Sequence, residues 1–384
     1  MELKFFIVGI IFWLTIIFFI YALRPSSSLH KEISSVNLRE KIICSVTMAI
    51  LIGACVIPMA WNPHWTGEIY DHHNQYQLLA DAFLKGQLYL DETVHPKLAE
   101  LENPYDPQQN STLNLDSYYY PYDHAFYKNH YYVYFGVVPV LTTFLPYKLI
   151  TGQPLAAYHS TQIFVALFII GMFALLYLTA RKFFARMSFG VYLSTAFCLS
   201  LVSVLYCTEA PALYCAASSS RLCMEIWSVY FFARAAWNND SSQKFFAEIF
   251  IGASLGALAF GCKPTIALAN VLILPLIPKI LNKGDSRKIL PLIFFPYFVT
   301  GTALMAYNYL RFENFFEFGA SYQLTGFDQH NYGKFFERFN PERFIKESLQ
   351  NFFGIDFNLP SNDNKPPGAL RHIIFWLPFF FAQR

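Results

Sequence analysis

Charged side chains inside or beside apolar stretches are the residues of this sequence whose chemistry stands out. Arg221 and Glu225 lie four residues apart in the apolar stretch Leu213–Trp237. Lys263 directly follows another, Phe245–Cys262. Charge in an apolar medium is costly, so such residues pair with one another or bind a ligand. The spacing of Arg221 and Glu225 favours a mutual ion pair, whereas Lys263 either reaches the lipid headgroups or binds a phosphate.

A polar segment, Trp61–His130, is acidic and aromatic. It holds ten acidic and three basic residues, six of the ten histidines and nine of the 25 tyrosines. One interpretation is a solvated loop whose aromatic rings pack on each other and on lipid headgroups. The other is a carbohydrate site, because flat aromatic faces stack on sugar rings and carboxylates bind hydroxyl groups.

Within this segment, Gln75–Leu90 carries apolar residues on one helical face, and Gly86 is a natural stop for that helix. The predicted helix begins just after Asp71, so the positive end of the helix dipole favours the ionised carboxylate. An ionised, partly desolvated carboxylate suits a general base. The alternative is that Asp71 only caps the helix.

Two further groups of residues are weighed for chemistry. Glu209, just before Pro211, is a second candidate carboxylate, with a solvated loop acid as the alternative. The cluster of His64, Glu68, Asp71, His72 and His73 matches no strong metal-ligand spacing. A divalent ion is compatible with that cluster, but we predict neither a metal nor another cofactor. The sequence has no P-loop, GxSxG or GxGxxG motif, so nucleotide and triad chemistry lack support.

The elements that must position these residues are predicted to be membrane helices. Of 384 residues, 55% are hydrophobic and 14% are charged, against roughly 25% charged in a soluble domain. Eight stretches are long and apolar enough to cross a bilayer. They are Phe5–Leu23, Ile42–Ala60, His159–Ala180, Phe189–Cys207, Leu213–Trp237, Phe245–Cys262, Thr265–Leu281 and Ile289–Leu310. The predicted fold class is therefore all-α, a polytopic helical membrane protein with about eight complete crossings.

Short basic loops predict the orientation, because Lys and Arg collect on the cytoplasmic side. Arg24–Lys41, Arg181–Arg186 and Lys279–Lys288 are rich in basic residues, so we expect them inside and the acidic segment 61–130 outside. Nucleic acid is excluded as a partner, because the net charge is only +2 and no basic, aromatic-interleaved run occurs.

Three other segments complete the predicted architecture of a single membrane domain over residues 1–384. Tyr131–Ile150 is interrupted by Pro139 and Pro146 and is predicted to be interfacial or re-entrant, with a true crossing as the alternative. Residues 311–371 form a second outer loop. The apolar run Ile373–Ala382 reaches only ~15 Å as a helix, so we expect the native chain to continue beyond Arg384.

Several segments resemble the GT-C superfamily of membrane glycosyltransferases, which includes protein O-mannosyltransferases and lipid A aminoarabinose transferases. Asp71–Gly86 (DHHNQYQLLADAFLKG) resembles the first outer loop of that superfamily, with Asp71 on the first acid and His72 in place of the second. Ile251–Pro278 resembles its helix pair, with Lys263 on the lysine. Tyr120–Gly152, Asn103–Pro107 and Tyr307–Phe327 look like a bacterial polytopic group usually placed with the superfamily.

This resemblance implies a glycosyltransferase of the cytoplasmic (inner) membrane that moves a sugar from a polyprenyl-phosphate donor to a lipid or glycan acceptor outside. Asp71 is then the catalytic base and Lys263 holds the donor phosphate. Glu209 or Asp123 orients the substrate, and His124 and Tyr134, in the matching segment Tyr120–Gly152, join them as substrate-binding candidates. Two alternatives remain: a transporter or flippase of lipid-linked sugars, and a non-catalytic subunit of an envelope assembly.

Overall fold

The structure is a computed structural model. It describes residues 20–21, 24, 26–61, 66, 74–110, 123–209, 211, 213–238 and 243–331. For residues 264–269 it describes the backbone alone. It is mostly helical, with 73% helix and 4% strand. The prediction of a helical protein is confirmed at this level. The described α-helices are α1 Leu38–Val56, α2 Gln75–Leu84, α3 Pro107–Asn110, α4 Leu145–Thr151, α5 Ala157–Phe183, α6 Phe189–Glu209, α7 Leu213–Trp237, α8 Gln243–Cys262, α9 Ile277–Leu281 and α10 Ser286–Phe312.

Five helical segments are long and apolar enough to cross a membrane. They are Leu38–Ala60, Ala157–Phe183, Phe189–Glu209, Gln243–Cys262 and Ser286–Phe312. Each matches one of the eight predicted crossings to within a few residues, because a long apolar run of good helix formers determines both the helix and its extent. The count of eight is not confirmed.

The other three predicted crossings differ for separate reasons. Phe5–Leu23 falls almost entirely outside the described residues. Thr265–Leu281 is not one α-helix but a 3₁₀ helix, Pro264–Leu276, followed by α9. Pro264, Pro275 and Pro278 each lack a backbone N–H, which weakens α-helical hydrogen bonding along this stretch. Helix α7 is 25 residues long, but its three charges and four serines make it too polar to meet the same criterion.

The polar composition of α7 is explained by where the helix packs. Helix α7 contacts α5 along one side and α8 along another, and more than half of its residues are buried. A helix surrounded by other helices does not face lipid, so it can carry polar side chains directed into the protein.

The chain folds into two compact units. The first, here called the helical unit, comprises Met1–Gln87 and Phe135–Tyr307. The second, here called the aromatic unit, comprises Leu88–Tyr134 and Asn308–Arg384. A single functional domain over residues 1–384 stays a prediction.

In the helical unit, two short elements outside the five long apolar helices agree with their sequence patterns. Helix α2 ends at Leu84, and Gly86 adopts φ +73°, a left-handed conformation that glycine enters at little cost. The predicted stop is therefore confirmed. The helical part of the stretch 131–150 covers only residues 138–151, about 21 Å at 1.5 Å per residue. That length falls short of a ~30 Å hydrocarbon core and agrees with an interfacial or re-entrant element.

The aromatic unit contains a β-hairpin that the all-α prediction did not include. Strand β1, Ala125–Tyr127, pairs antiparallel with β2, His130–Tyr132, in the register Phe126 to Tyr131. Lys128 and Asn129 form the turn with φ of +47° and +62°, the conformation of a two-residue type I′ turn. Isolated bridges add Leu90 beside Tyr131 and Gln323 beside Ala125, so distant segments flank both edges of the hairpin.

Candidate functional site

The predicted site residues are distributed over the two units. Lys263 and Glu209 belong to the helical unit, and Asp123, His124 and Tyr134 belong to the aromatic unit. Asp71 and the histidine-rich cluster around it lie outside the described residues. Helix α2 has Asn74 at its N-cap position, so Asp71 stands three residues before the cap rather than on it.

Lys263 is held at the end of α8 by close backbone packing. It is half-buried, and its ammonium donates a hydrogen bond to the Ser218 hydroxyl on α7 at 3.4 Å. Gly136 lies directly against the carbonyl groups of Gly261 and Cys262, so closely that a Cβ there would overlap both. The residue before Lys263 therefore has a fixed backbone position, and the ammonium is directed to α7.

Arg221 and Glu225 do not form the ion pair that their spacing predicts. Among the described residues no ion pair includes either of them, and Arg221 Nε and Glu225 Oε1 are buried without a hydrogen-bond partner. Glu225 is only 7% exposed. The prediction of a mutual pair is wrong because the two side chains, although one turn apart, stop short of contact. Buried polar atoms without partners each cost about 1–3 kcal/mol.

One face of α7 carries a polar stripe. Its members are Ser218, Arg221, Glu225 and Ser228, spaced by three, four and three residues. Residues at these spacings lie on the same face of an α-helix. The Ser228 hydroxyl donates to the Gly252 carbonyl of α8 at 2.7 Å, which directs this face toward α8 and away from lipid.

The stripe brings Arg221 near Lys263. Their positive charges lie within electrostatic range of each other, and the Cys207 thiol lies within range of both. Arg221 and Lys263 repel each other because both side chains are positively charged. A bound anion would offset this repulsion and stabilise the arrangement. Hydroxyl, ammonium and guanidinium groups are the donors that bind phosphate oxygens. The geometry therefore suits an anion site lined by Ser218, Arg221 and Lys263.

A hydrogen-bonded cluster near Glu225 links α8, α10 and the 3₁₀ helix Pro264–Leu276. The Tyr297 hydroxyl of α10 donates to Asn270 Oδ1 at 2.6 Å, and Asn270 Nδ2 donates to the Gly256 carbonyl of α8 at 3.4 Å. Tyr297 is within electrostatic range of Glu225. Because its proton is directed to Asn270, Tyr297 does not supply the hydrogen bond that Glu225 Oε1 lacks.

Glu209 has a simpler setting. It is the last residue of α6 and is exposed to solvent. This exposed position agrees with the alternative interpretation of Glu209 as a solvated loop acid. No contact in the described chain joins Glu209 to Lys263. Its role in orienting a substrate stays a prediction.

In the aromatic unit, Asp123 has an unusual conformation. Its φ is +62°, rare for a residue with a side chain, and its N–H donates to the Leu324 carbonyl at 2.8 Å. Gln323 Nε2 donates to Asp123 Oδ1 at 2.8 Å, and Gln329 Nε2 donates to Gln323 Oε1 at 2.9 Å. Burial raises the pKa of the Asp123 carboxyl above its usual value, and the Gln323 hydrogen bond offsets part of that rise. Asp123 is thus a partly desolvated carboxylate, held in place by the side-chain amide of Gln323, which in turn is held by that of Gln329.

His124 and Tyr134 are occupied by neighbours within the aromatic unit. The His124 side chain is fully buried, with Nε2 3.0 Å from Glu92 Oε2 and its ring edge-on to Tyr131. Tyr134 is partly buried in a cluster built on Ala125, Tyr132 and Phe312. Full burial favours a packing role for His124 over contact with a substrate. The clustering of Tyr134 likewise agrees with the interpretation that these aromatic residues pack on each other.

Metal binding receives no support from the described residues. Among them, no group of three or more His, Cys, Asp and Glu side chains is arranged to hold a metal ion. All seven cysteines are free thiols, five of them buried, as expected for small core residues.

Sequence reasoning missed Ser218 and treated Arg221 and Glu225 as partners. A signal for Ser218 was available, because Ser218 precedes Arg221 by one helical turn and so lies on the same face. The approach of Lys263 to α7 had no local signal, since Ser218 and Lys263 are 45 residues apart in sequence.

Comparison with known proteins returns no match of any of the three kinds. No family model matches the chain, and no curated protein or solved structure matches it. The resemblance to GT-C glycosyltransferases therefore stays a prediction from the residues quoted above.

Proposed function

We propose that this chain is a multi-pass glycosyltransferase of the cytoplasmic membrane that moves a sugar from a polyprenyl-phosphate donor to a lipid or glycan acceptor on the outer face. The observation that carries the proposal is the pair of cations, Arg221 and Lys263, which lie within range of each other while no described carboxylate contacts either. The five apolar helices supply the membrane setting that a polyprenyl chain requires.

The assignment of a phosphate ligand follows from the free-energy cost of placing Arg221 and Lys263 close together without an anion. Repulsion between two partly desolvated cations and a buried Nε without a partner both destabilise the folded chain. A phosphate bound between Arg221 and Lys263 would relieve both, with Ser218 donating a further hydrogen bond. The polyprenyl tail of such a ligand would lie among lipid acyl chains, so only its headgroup needs a polar site.

The proposed reaction uses the same cations. The acceptor hydroxyl oxygen attacks the anomeric carbon of the donor sugar, the bond from that carbon to the phosphate oxygen breaks, and the bonding electrons leave with the phosphate. Asp71 takes the hydroxyl proton as the general base. Lys263 and Arg221 stabilise the extra negative charge on the departing polyprenyl phosphate, which is where electrostatic catalysis contributes most.

The test of the enzymatic proposal is a transfer assay on membranes that contain the full chain, with a panel of radiolabelled polyprenyl-phosphoryl hexoses and pentoses as donors. Asp71→Asn should lower transfer by ~10²–10⁴-fold, because it removes a base. Asp81→Asn is the matched control, since Asp81 forms a half-exposed ion pair with Lys148 at 2.9 Å and should retain activity. Full transfer by Asp71→Asn would eliminate Asp71 as the base.

A second candidate function is transport of a lipid-linked sugar, and the polar stripe of α7 favours it. Ser218, Arg221, Glu225 and Ser228 continue along the helix for three turns, farther than a single phosphate requires. A stripe of this kind offers successive positions to a headgroup moving through the protein. Movement of a fluorescent polyprenyl-phosphoryl sugar across proteoliposomes, without transfer of its sugar, would favour the transporter over the enzyme.

A further inference from the structure

A cavity of about 350 Å³ lies between α1, α5 and α6 in the helical unit. Its wall is mostly apolar and includes Met48 of α1, Phe173 of α5 and Phe189 of α6. The volume falls within the roughly 300–1,000 Å³ of ligand pockets. Lys41 and Ser45 of α1 also line the cavity and are exposed, so a ligand can enter along α1.

Three polar residues of the wall already have partners within the chain. The Tyr192 hydroxyl donates to the Phe173 carbonyl at 3.1 Å, and Cys44 Sγ lies 3.5 Å from the Tyr192 oxygen. Because Tyr192 gives its single proton to Phe173, the Cys44 thiol is the donor to Tyr192. Glu40 forms an ion pair with Lys31 at 2.8 Å. These groups need no polar ligand, and the interior suits a hydrocarbon chain.

Two basic segments, Arg24–Lys41 and Arg181–Arg186, meet at the end of the helices where this cavity lies. The Ser34 N–H donates to the Ala185 carbonyl at 3.0 Å, so the two segments lie side by side. Both are predicted to be cytoplasmic from their Lys and Arg content. Their positive charges are therefore gathered beside the cavity.

Two of these cations lie at the cavity itself. Lys41 lines it, and the Arg181 guanidinium lies over the ring of Tyr177, another wall residue, 5.9 Å from the ring centroid. Among the residues that the structure describes, no ion pair includes Lys41 or Arg181. An apolar cavity with two unpaired cations beside it complements a ligand that has a hydrocarbon chain and an anionic head.

We propose that this cavity binds a membrane phospholipid with an anionic headgroup, with one acyl chain in the cavity and the phosphate near Lys41 and Arg181. Basic pockets between membrane helices bind anionic lipid headgroups in this way. The proposal goes beyond the proposed function, since it requires the membrane setting but neither Asp71 nor Lys263. The segment Phe5–Leu23 is a competing occupant, but it contains no acidic residue and would leave both cations unpaired.

The experiment measures binding of two phospholipids to the full chain in neutral detergent by native mass spectrometry. Dioleoylphosphatidylglycerol is anionic, and dioleoylphosphatidylcholine has the same acyl chains but a zwitterionic head. Wild type should prefer phosphatidylglycerol. Lys41→Gln and Arg181→Gln should each weaken phosphatidylglycerol binding by about two- to fivefold, as expected for one solvent-accessible ion pair, and should lower the preference over phosphatidylcholine.

The matched controls remove a neighbouring cation from the same helices. Arg39→Gln changes an exposed residue of α1 that does not line the cavity. Lys182→Gln changes an exposed residue of α5 that is five positions from Tyr177 and so lies off the face that Arg181 shares with it. Both controls should retain the wild-type preference. A loss of preference as large as in Lys41→Gln and Arg181→Gln would reduce the effect to general surface charge and overturn the proposal.

Filling the cavity tests whether an acyl chain lies inside it. Ala174 of α5 lines the cavity, so Ala174→Leu should lower phosphatidylglycerol binding while the melting temperature in lipid-free detergent stays the same or rises. Ala49→Leu, at an exposed position of α1 outside the cavity wall, should leave binding unchanged. Wild-type binding by a folded Ala174→Leu would overturn the proposal.

Two further results would assign the cavity to another occupant. Equal binding of the two phospholipids by wild type would overturn the proposal and leave Phe5–Leu23 as the occupant. Displacement of phosphatidylglycerol by a lower concentration of farnesyl methyl phosphate would overturn it in favour of the polyprenyl carrier. Loss of phosphatidylglycerol binding in Lys41→Gln with sugar transfer intact would separate this site from the proposed function.

Discussion

Arg311 of the aromatic unit is buried and Arg221 of the helical unit is partly buried, and their guanidinium groups have very different partners. Arg311 is 4% exposed, donates to the Val133 carbonyl at 2.6 Å and to Asn308 Oδ1 at 3.0 Å, and lies over the Phe312 ring. Arg221 Nε is buried with no partner. The first arrangement is complete within the chain, whereas the second is incomplete.

The same contrast separates Glu225 of the helical unit from two carboxylates of the aromatic unit. Asp328 accepts hydrogen bonds from the Asn103 and Asn331 side chains and from two backbone N–H groups, and Asp123 accepts one from Gln323. Glu225 Oε1 of the helical unit accepts none. Polar groups that satisfy one another stabilise a fold, and polar groups that remain unsatisfied indicate a place for a ligand. The polar groups compared in the aromatic unit thus stabilise its fold, and the unsatisfied atoms of Arg221 and Glu225 support the proposal that α7 lies beside a ligand.

The largest effect is expected from a substitution that moves the backbone beside Lys263. In Gly136→Ala the new Cβ would overlap the carbonyl oxygens of Gly261 and Cys262, which cannot rotate away as a flexible side chain would. We expect a loss of about 3 kcal/mol of stability, at the upper end of overpacking effects, together with loss of phosphate binding. The melting temperature in detergent measures the first effect. A variant as stable as wild type would show that the end of α8 is not held by this contact.

A matched pair of arginine substitutions tests the comparison itself. Arg311→Met leaves a buried carbonyl group and an amide oxygen without their donor, and should cost about 2–4 kcal/mol. Arg221→Met removes a cation whose Nε has no hydrogen-bond partner, although it also removes an attraction to Glu225, so it should cost less stability than Arg311→Met. Both are read from thermal unfolding of the purified chain without ligand. Equal destabilisation by the two variants would break the distinction between the units.

Smaller effects are expected from the pH dependence of two carboxyls in the aromatic unit. Burial acts to raise the pKa of Asp328, but the hydrogen bonds from Asn331, Asn103 and His330 outweigh it and hold that pKa below its usual value. Its contribution to stability is therefore present above about pH 3.9, the unfolded value, and is lost as the pH falls through the lowered folded pKa.

The pKa of Asp123 is shifted in the opposite direction from that of Asp328. Burial raises its pKa, so the folded state binds the proton more tightly, and the contribution of Asp123 is present at acid pH and is lost as the pH rises through the raised pKa. Asp123→Asn should raise the melting temperature at pH 7, since asparagine keeps the acceptor for Gln323 and tolerates positive φ. Asp328→Asn should lower it by the equivalent of about 1 kcal/mol. Shifts of the same sign in the two variants would refute this account.

The sequence predicted the five long apolar helices and did not predict the tertiary contacts. A long apolar run contains its own signal, so His159–Ala180 appears as α5 with only a few residues added at each end. The β-hairpin at 125–132 has strands of three residues and gains its flanking pairs from Leu90 and Gln323, which no local pattern indicates. Asn129 in the turn was the one local signal available.

The candidate site shows the same division. Lys263, Arg221 and Glu225 were identified from charge in apolar surroundings, which is a property of the sequence. That Arg221 approaches Lys263 instead of pairing with Glu225 depends on how α7 packs against α8, and the spacing of four residues suggested the opposite. Local spacing predicts which residues share a face, but packing decides which of them touch.

The most direct test of the central claim is the affinity of the full chain in nanodiscs for farnesyl methyl phosphate, compared between wild type and Lys263→Met. If Lys263 binds the phosphate, the substitution should weaken binding by about 10- to 150-fold, which corresponds to ~1.5–3 kcal/mol for a charge-assisted hydrogen bond, at an unchanged melting temperature. Lys263→Arg should retain part of the affinity, because it keeps the charge and changes its shape. Equal affinity in wild type and Lys263→Met would contradict the assignment and leave Lys263 as a headgroup anchor.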